Sequence, residues 1–383
     1  MKMNVLNGKI RFNRNELAGA FGDIGTSLPL IVGMVLANGL DSASVLIVFG
    51  ALQIATGLLY GIPMPVQPLK AMAVIFITQK LTGDVLYGAG LAIGIIMFFL
   101  SITKLLEWIQ RAVPLAVVRG IQFGLGVTLA SLALKNYVQS DSIAGWALAL
   151  AGFIITMLLI GNRKYPAALF LIVLGAAYAV VFKMDLPILA QSAGFALPQL
   201  HLPSTDGILA GLVLLALPQL PLSIGNSILA TKQTVADLFP EKKVTVKKIG
   251  LTYSFVNLVS SFLSGIPICH GSGGLAGHYT FGARTGGSVV IYGSIYLIIG
   301  LFFSRGFEEI VKVFPLPVLG IILLFEGLAL MLLLKDIAGV RKDLFISLAV
   351  ALMVVGLPYG YVIGMIAGSL MAYWMSKKKI SSW

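Results

Sequence analysis

The sequence is poor in cysteine, histidine and charge. Its one cysteine, Cys269, excludes an internal disulfide. With only three histidines, the pair Cys269-His270 stands without further metal-ligand spacing, and no zinc site is expected. Charged residues make up 11% of the chain, against about 25% in soluble domains. There is no Gly-x-x-x-x-Gly-Lys-Ser/Thr loop, which argues against a built-in ATPase. Gly271-Ser272-Gly273-Gly274 lacks the strand context of a dinucleotide site. No enzyme signature competes, and no cofactor is expected. Residues 1–15 are polar and basic with no apolar stretch, so no cleavable signal peptide is expected.

What is abundant is apolar sequence of helical length. Hydrophobic residues make up 58% of 383, and the mean hydropathy is +0.96. This is the composition of a helical membrane protein. Apolar stretches fall at 16–38, 43–60, 63–79, 85–103, 114–134, 144–161 and 165–182. A second set falls at 207–231, 249–264, 266–283, 287–303, 315–334, 342–357 and 359–375. Several are shorter than the ~20 residues of a full span. Those at 63–79 and 266–283 read as half-helices. The last two could form a short hairpin, which leaves twelve full spans as an alternative to fourteen segments.

The net charge of +12 fits the positive-inside bias better than nucleic-acid binding. With the N-terminus inside and segments alternating, 20 of the 27 basic residues fall inside. The outside receives Lys80, Lys135, Lys183, Arg305 and Lys312. Both termini are therefore expected in the cytoplasm, and the chain in the inner or plasma membrane.

The two sets repeat. Gly61-Ile62-Pro63 matches Gly265-Ile266-Pro267 at an offset of 204. Arg111-Ala112-Val113-Pro114-Leu115 aligns with Lys312-Val313-Phe314-Pro315-Leu316 at 201, and Gly126 falls opposite Gly327. An odd number of segments per copy inverts the second copy. The expected domain is a single integral one: repeat one over 14–182, an external linker over 183–206, and repeat two over 207–376. No soluble C-terminal domain is expected.

Both triplets interrupt a span, and a broken span in lipid needs new partners for its freed backbone groups. Matching breaks in two repeats point to a site at the bilayer midplane. Pro63, Pro65 and Pro68 prevent regular helix through Gln67, and a helix can start near Pro68, which aims its N–H groups and positive dipole end at the midplane. Lys70 lies in that first turn. Gly271, Ser272, Gly273 and Gly274 expose backbone near a second helix start. Two helix N-termini and a lysine make an anion site. Gln67 and Ser272 can donate hydrogen bonds to it. Asp23, Lys70, His270, His278 and Glu326 are ionisable groups at membrane depth and so are functional candidates; Arg119 and Arg284 are expected to snorkel to headgroups. The polar stretches around Asp23-Ile24-Gly25-Thr26 and Gln219 to Asn226 occupy equivalent places and could line one cavity. Asp23 is either a proton carrier or a counter-charge for Lys70.

Three ordered motifs, Ala20-Phe21-Gly22-Asp23-Ile24-Gly25-Thr26, Pro65-Val66-Gln67-Pro68-Leu69-Lys70-Ala71 and Leu217-Pro218-Gln219-Leu220-Pro221-Leu222-Ser223-Ile224-Gly225-Asn226-Ser227, resemble the molybdate transporters of plants and bacteria. So does the run from Cys269-His270-Gly271-Ser272-Gly273-Gly274 to Ala283-Arg284. The resemblance implies a branch of the sulfate-permease superfamily. It implies an all-α polytopic fold of two inverted seven-segment repeats, in which a core domain moves against a gate domain (segments 5–7 and 12–14). It implies secondary active import of molybdate, with sulfate or tungstate as relatives. Gln67, Lys70, His270, Gly271, Ser272, Gly273, Gly274, Gln219, Asn226 and Thr26 are the expected binding residues, and Asp23 the coupling residue. The expected partners are the oxyanion, the bilayer and, as candidates, protons and a second copy of the chain. The competing readings are a nucleobase or carboxylate carrier on the same fold, and a passive anion channel.

Overall fold

The computed structural model describes residues 3–5, 10–103, 105, 106, 108, 113–160, 165, 167–183 and 193–377. Each of the fourteen apolar stretches has a helical counterpart. A short hairpin of β1 (Met3–Val5) and β2 (Ile10–Phe12) precedes them. Repeat one contains α1 (Arg14–Ala20), α2 (Ile24–Asn38), α3 (Ser42–Tyr60), β3 (Gln67–Pro68), α4 (Lys70–Gln79), α5 (Gly83–Ile102), α6 (Leu115–Leu132), α7 (Ser142–Leu159) and α8 (Ala167–Phe182). Repeat two contains α9 (Thr205–Leu238), α10 (Val246–Phe262), β4 (Ile268–Cys269), α11 (Ser272–Thr280), α12 (Gly287–Val313), α13 (Leu316–Leu332), α14 (Arg341–Gly356) and α15 (Gly360–Lys377).

Among the described residues, seven helices are long and apolar enough to cross a membrane, and α4 is one of three shorter apolar helices. Segment one is interrupted at Phe21-Gly22-Asp23. Its counterpart α9 is continuous but passes through π-helical turns at Leu212–Ala216 and Ser223–Ala230. Pro218 and Pro221 lie between them, where each proline removes a backbone donor, and the wider turns absorb the change in register.

Packing displays the inverted symmetry. Helix α3 lies on α12, and α10 lies on α5, which is the same pair with the halves exchanged. Likewise α7 lies on α13 as α14 lies on α6. Pro114 and Pro315, at the expected offset of 201, are the N-caps of α6 and α13. Gly126 and Gly327 touch: a Cβ on either would meet the other's carbonyl oxygen, at 2.5 and 2.7 Å. Equivalent residues can meet only on the axis that relates the repeats, so these glycines mark it. The lack of side chains there lets α6 and α13 approach closely, as small residues do in membranes.

Candidate functional site

The breaks are held by side chains. The Gln53 amide on α3 donates to the Val66 carbonyl at 2.7 Å and accepts from the Val66 N–H at 3.0 Å. The Asn257 amide on α10 grips Ile268 in the same two-pronged way, at 2.7 and 2.9 Å. The Thr56 hydroxyl donates to the Met64 carbonyl, and Ser260 donates to that of Ile266. All four side chains are buried. They replace hydrogen bonds that an unbroken helix would make for itself.

The repeat register differs here from that expected. Gln53 and Asn257 lie 204 residues apart, as do Thr56 and Ser260, but their backbone partners lie 202 apart. So do the N-caps Leu69 and Gly271. Repeat one carries two extra residues between helix and break. The equivalent of Pro267 is therefore Pro65 rather than Pro63, and the matching triplets are displaced from each other. Lys70 and Ser272, each the first residue of its half-helix, are the true counterparts.

The breaks cross as an antiparallel ladder, with Gln67 opposite Cys269 and Pro68 opposite Ile268. The Leu69 N–H extends it to the Pro267 carbonyl at 3.0 Å. The two half-helices therefore start from one point.

Their N-termini differ. Gln219 was expected to donate to an anion. Instead its Oε1 accepts from the N–H groups of Ala71 and Met72, at 2.9 and 3.2 Å, and caps α4. Its Nε2 donates to Ser223 Oγ at 3.2 Å, and Ser223 bonds the Tyr253 hydroxyl at 2.7 Å. Among the described residues, no side chain accepts from the first N–H groups of α11. Gly273 is exposed, with nothing within 4 Å of where a Cβ would stand. Lys70, Ser272 and Asn226 are half-buried around it, and Ser272 Oγ donates to Asn226 Oδ1 at 3.3 Å. Gly225, beside Asn226, faces Val118 of α6. The start of α11 thus lies beside Asn226, where segment 8 meets gate helix α6.

Behind it, Asp23 is 1% exposed. Its carboxylate accepts from Ser27 Oγ at 2.8 Å and from Gln67 Nε2. A Cβ at Gly274 would meet Asp23 Oδ1 and Gln67 Nε2 at 2.8 Å, and one at Gly271 would overlap Gln67 Oε1. Both glycines are needed for α11 to seat on this pair.

His270 is fully buried and turned away from the opening. Its Nδ1 lies 3.1 Å from the Pro65 carbonyl, to which it donates, and its Nε2 lies 2.8 Å from Thr252 Oγ1. It ties one break to the other. The side chains of Thr26 and Glu326 lie outside the described residues. Arg119 and Arg284 do not snorkel as expected. Arg119 pairs with Asp336 and donates to Gln122 Oε1 at 2.8 Å. Arg284 stacks 3.6 Å over the Tyr279 ring and donates to the Tyr279 and Ala283 carbonyls near the end of α11. Carbonyls freed where a helix ends offer an arginine better partners than a headgroup at a distance.

Residues missed in the sequence include Gln53, Asn257, Thr56 and Ser260; a polar pair inside apolar spans at the repeat offset would have signalled them. Glu16 was also missed. Its buried carboxylate accepts the N–H groups of Arg284, Thr285 and Ser288 at 2.9–3.0 Å and fixes the turn into α12.

A helix N-terminus, an ammonium group and a hydroxyl are groups that can hold an oxyanion. A family model described as "Molybdate transporter of MFS superfamily" matches residues 15–129 and 211–330, one stretch in each repeat. The chain is 32% identical over 412 residues to molybdate transporter 1 of Arabidopsis thaliana, covering 94% of this chain and 88% of that one. It is 32% identical over 385 residues to molybdate transporter 2 of the same plant, covering 88% and 82%. Its fold is similar to the transmembrane domain of the cyanobacterial bicarbonate transporter BicA, with TM-score 0.65, 16% identity and coverage of 94% and 97%. It is also similar to the murine anion transporter Slc26a9 in its inward-facing state, with TM-score 0.69, 14% identity and coverage of 95% and 68%. Halves built from six segments in parallel, as in the MFS, are not what this chain shows: its repeats have seven segments and are inverted. By its sequence and by two matches that each fall within a repeat, the chain belongs to the molybdate transporter family.

Proposed function

We propose that the chain is a secondary active importer of molybdate in the inner or plasma membrane, with both termini cytoplasmic. The observation that carries this reading is the uncapped N-terminus of α11, opening beside Lys70 where the two breaks cross. A dianion entering the membrane loses its hydration. The N–H groups of Ser272, Gly273 and Gly274, the Ser272 hydroxyl and the Lys70 ammonium replace it. Asn226 orients Ser272, and Gln67 aligns the ladder with Asp23. Gln219 keeps the α4 amides covered, so the anion engages the open end of α11.

Asp23 is the coupling residue. A buried carboxylate opposes a dianion nearby, and a proton removes that opposition. Binding of proton and anion is then mutually favourable, which is the requirement for symport. The core of segments 1–4 and 8–11 moves against the gate of 5–7 and 12–14, within the single domain of residues 14–376. The shared fold supports kinship with the sulfate permeases.

Uptake of labelled molybdate into proteoliposomes tests the reading, with sulfate, tungstate and uracil as competitors. Saturable uptake, blocked by tetrahedral oxyanions and unaffected by uracil, is expected. Competition by uracil alone would indicate a nucleobase carrier. Unsaturable flux with large current would indicate a channel.

A further inference from the structure

A cavity of about 520 Å³ lies at the end of α4 opposite its site-forming N-terminus. That size is within the roughly 300–1,000 Å³ of small-molecule sites. Core residues Leu36 and Thr78 face gate residues Thr128 and Leu316 across it. Three lysines from three elements also line it: Lys80 after α4, Lys135 on the π-helical turn after α6, and Lys312 at the end of α12. Far apart in sequence, they are three of the five basic residues assigned to the outside.

The lining holds no carboxylate among the described residues. Lys312 bonds Glu309 at 2.8 Å, and Glu308 lines a neighbouring hollow. Among the described residues, no ion pair engages Lys80 or Lys135, whereas Lys183 is paired with Asp141. Like charges gathered around one cavity repel each other unless an anion joins them. Lys80 also adopts the left-handed conformation, with φ 49° and ψ 49°, as the C-cap of α4. Glycine is the low-cost residue there, and a cation that only balanced the helix dipole could sit a residue earlier in regular helix. A second cavity, of about 380 Å³, shares Thr78 and Thr128 with the first and reaches Pro218, next to the Gln219 that caps α4. The lysines therefore stand on the side of α4 from which a second cavity extends toward the residue beside Gln219.

We infer that Lys80, Lys135 and Lys312 form an outer capture site for tetrahedral oxyanions, which concentrates the anion before it reaches the half-helix N-termini. The inference rests on the transport reading for its purpose, but not for its ligand chemistry. Exposed ammonium groups on flexible stems attract a hydrated dianion without stripping its water. They raise the encounter rate rather than the selectivity, and the gain is screened by salt.

The test has two arms. In the first, a water-soluble amine-acylating reagent is applied to the detergent-purified protein with molybdate or with sodium chloride at equal ionic strength. Modification is read by mass spectrometry. Molybdate is expected to protect Lys80 and Lys135 and to leave Lys335 unprotected. In the second, the triple variant Lys80→Gln, Lys135→Gln, Lys312→Gln is compared with Lys242→Gln, Lys243→Gln in molybdate uptake. The triple variant is expected to raise KM about tenfold with Vmax unchanged, and to flatten the dependence of KM on salt. Lys80→Gly, which relieves the backbone, should raise KM in the same direction. No protection, together with an unaltered KM and salt slope in the triple variant, would overturn the inference while leaving the transport reading intact. Protection in a protein that takes up no molybdate would uphold the capture site and defeat the transport reading.

Discussion

The side-chain oxygen of Gln219 lies 2.9 Å from the amide nitrogen of Ala71 and accepts its proton. It holds Met72 in the same way. A helix terminus suited to an anion is thus covered by a neutral oxygen from the other repeat, while among the described residues no side chain covers the matching terminus of α11. The two halves share an ancestry but present different faces to a ligand. Lys70 stands on the covered helix and Ser272 on the open one.

Gln219→Glu should separate these roles. A carboxylate satisfies the α4 amides better than an amide oxygen does, so thermal stability should hold. The added negative charge then opposes the anion, and the Kd for molybdate should rise at least about tenfold, or roughly 1.4 kcal/mol. Thermal unfolding of the purified variant checks the first, and isothermal titration with molybdate the second.

Asp23→Asn should uncouple transport. Uptake driven by an inward proton gradient should fall to the level seen without a gradient, while exchange of labelled for unlabelled molybdate persists. Gradient-driven accumulation at the wild-type level would remove Asp23 from coupling.

Much of this was legible in the sequence. The fourteen segments, the breaks and the inversion follow from apolar length, proline placement and an odd segment count, all local or countable. Lys70 and Ser272 stood out because broken spans are rare, and each begins a half-helix. The direction in which Gln219 and His270 point was not legible. Both are polar residues beside a break, and only the packing of α9 on α4 and of His270 against Pro65 decides that they serve the scaffold. The two-residue slip between repeats was hidden for a related reason. Identical Gly-Ile-Pro triplets attract an alignment, whereas the equivalence lies in which carbonyls Gln53 and Asn257 grip.

Gln53→Leu and Asn257→Leu should each destabilise the fold strongly. Each leaves a buried N–H and a buried carbonyl without partners, at a cost of roughly 1–3 kcal/mol per group. Thermal unfolding in detergent should show a lower midpoint for each variant. The double variant should fall further than either, because the clamps act on opposite sides of one ladder.

Gly126→Val should strain the axis contact. Its added carbon would stand against the Gly327 carbonyl and the Met331 side chain. Overpacking of this kind costs about 1–3 kcal/mol. The midpoint should fall while the Kd for molybdate stays near that of the wild type, since the contact lies in the gate.

The most direct measurement is the position of molybdenum itself. Anomalous scattering from crystals grown with molybdate should give one strong peak within hydrogen-bond reach of the Ser272 and Gly273 amides and the Lys70 ammonium. That peak should be absent in Lys70→Ala at the same concentration. A peak that survives the substitution unchanged, or one lying away from the crossing of the two breaks, would contradict the site described.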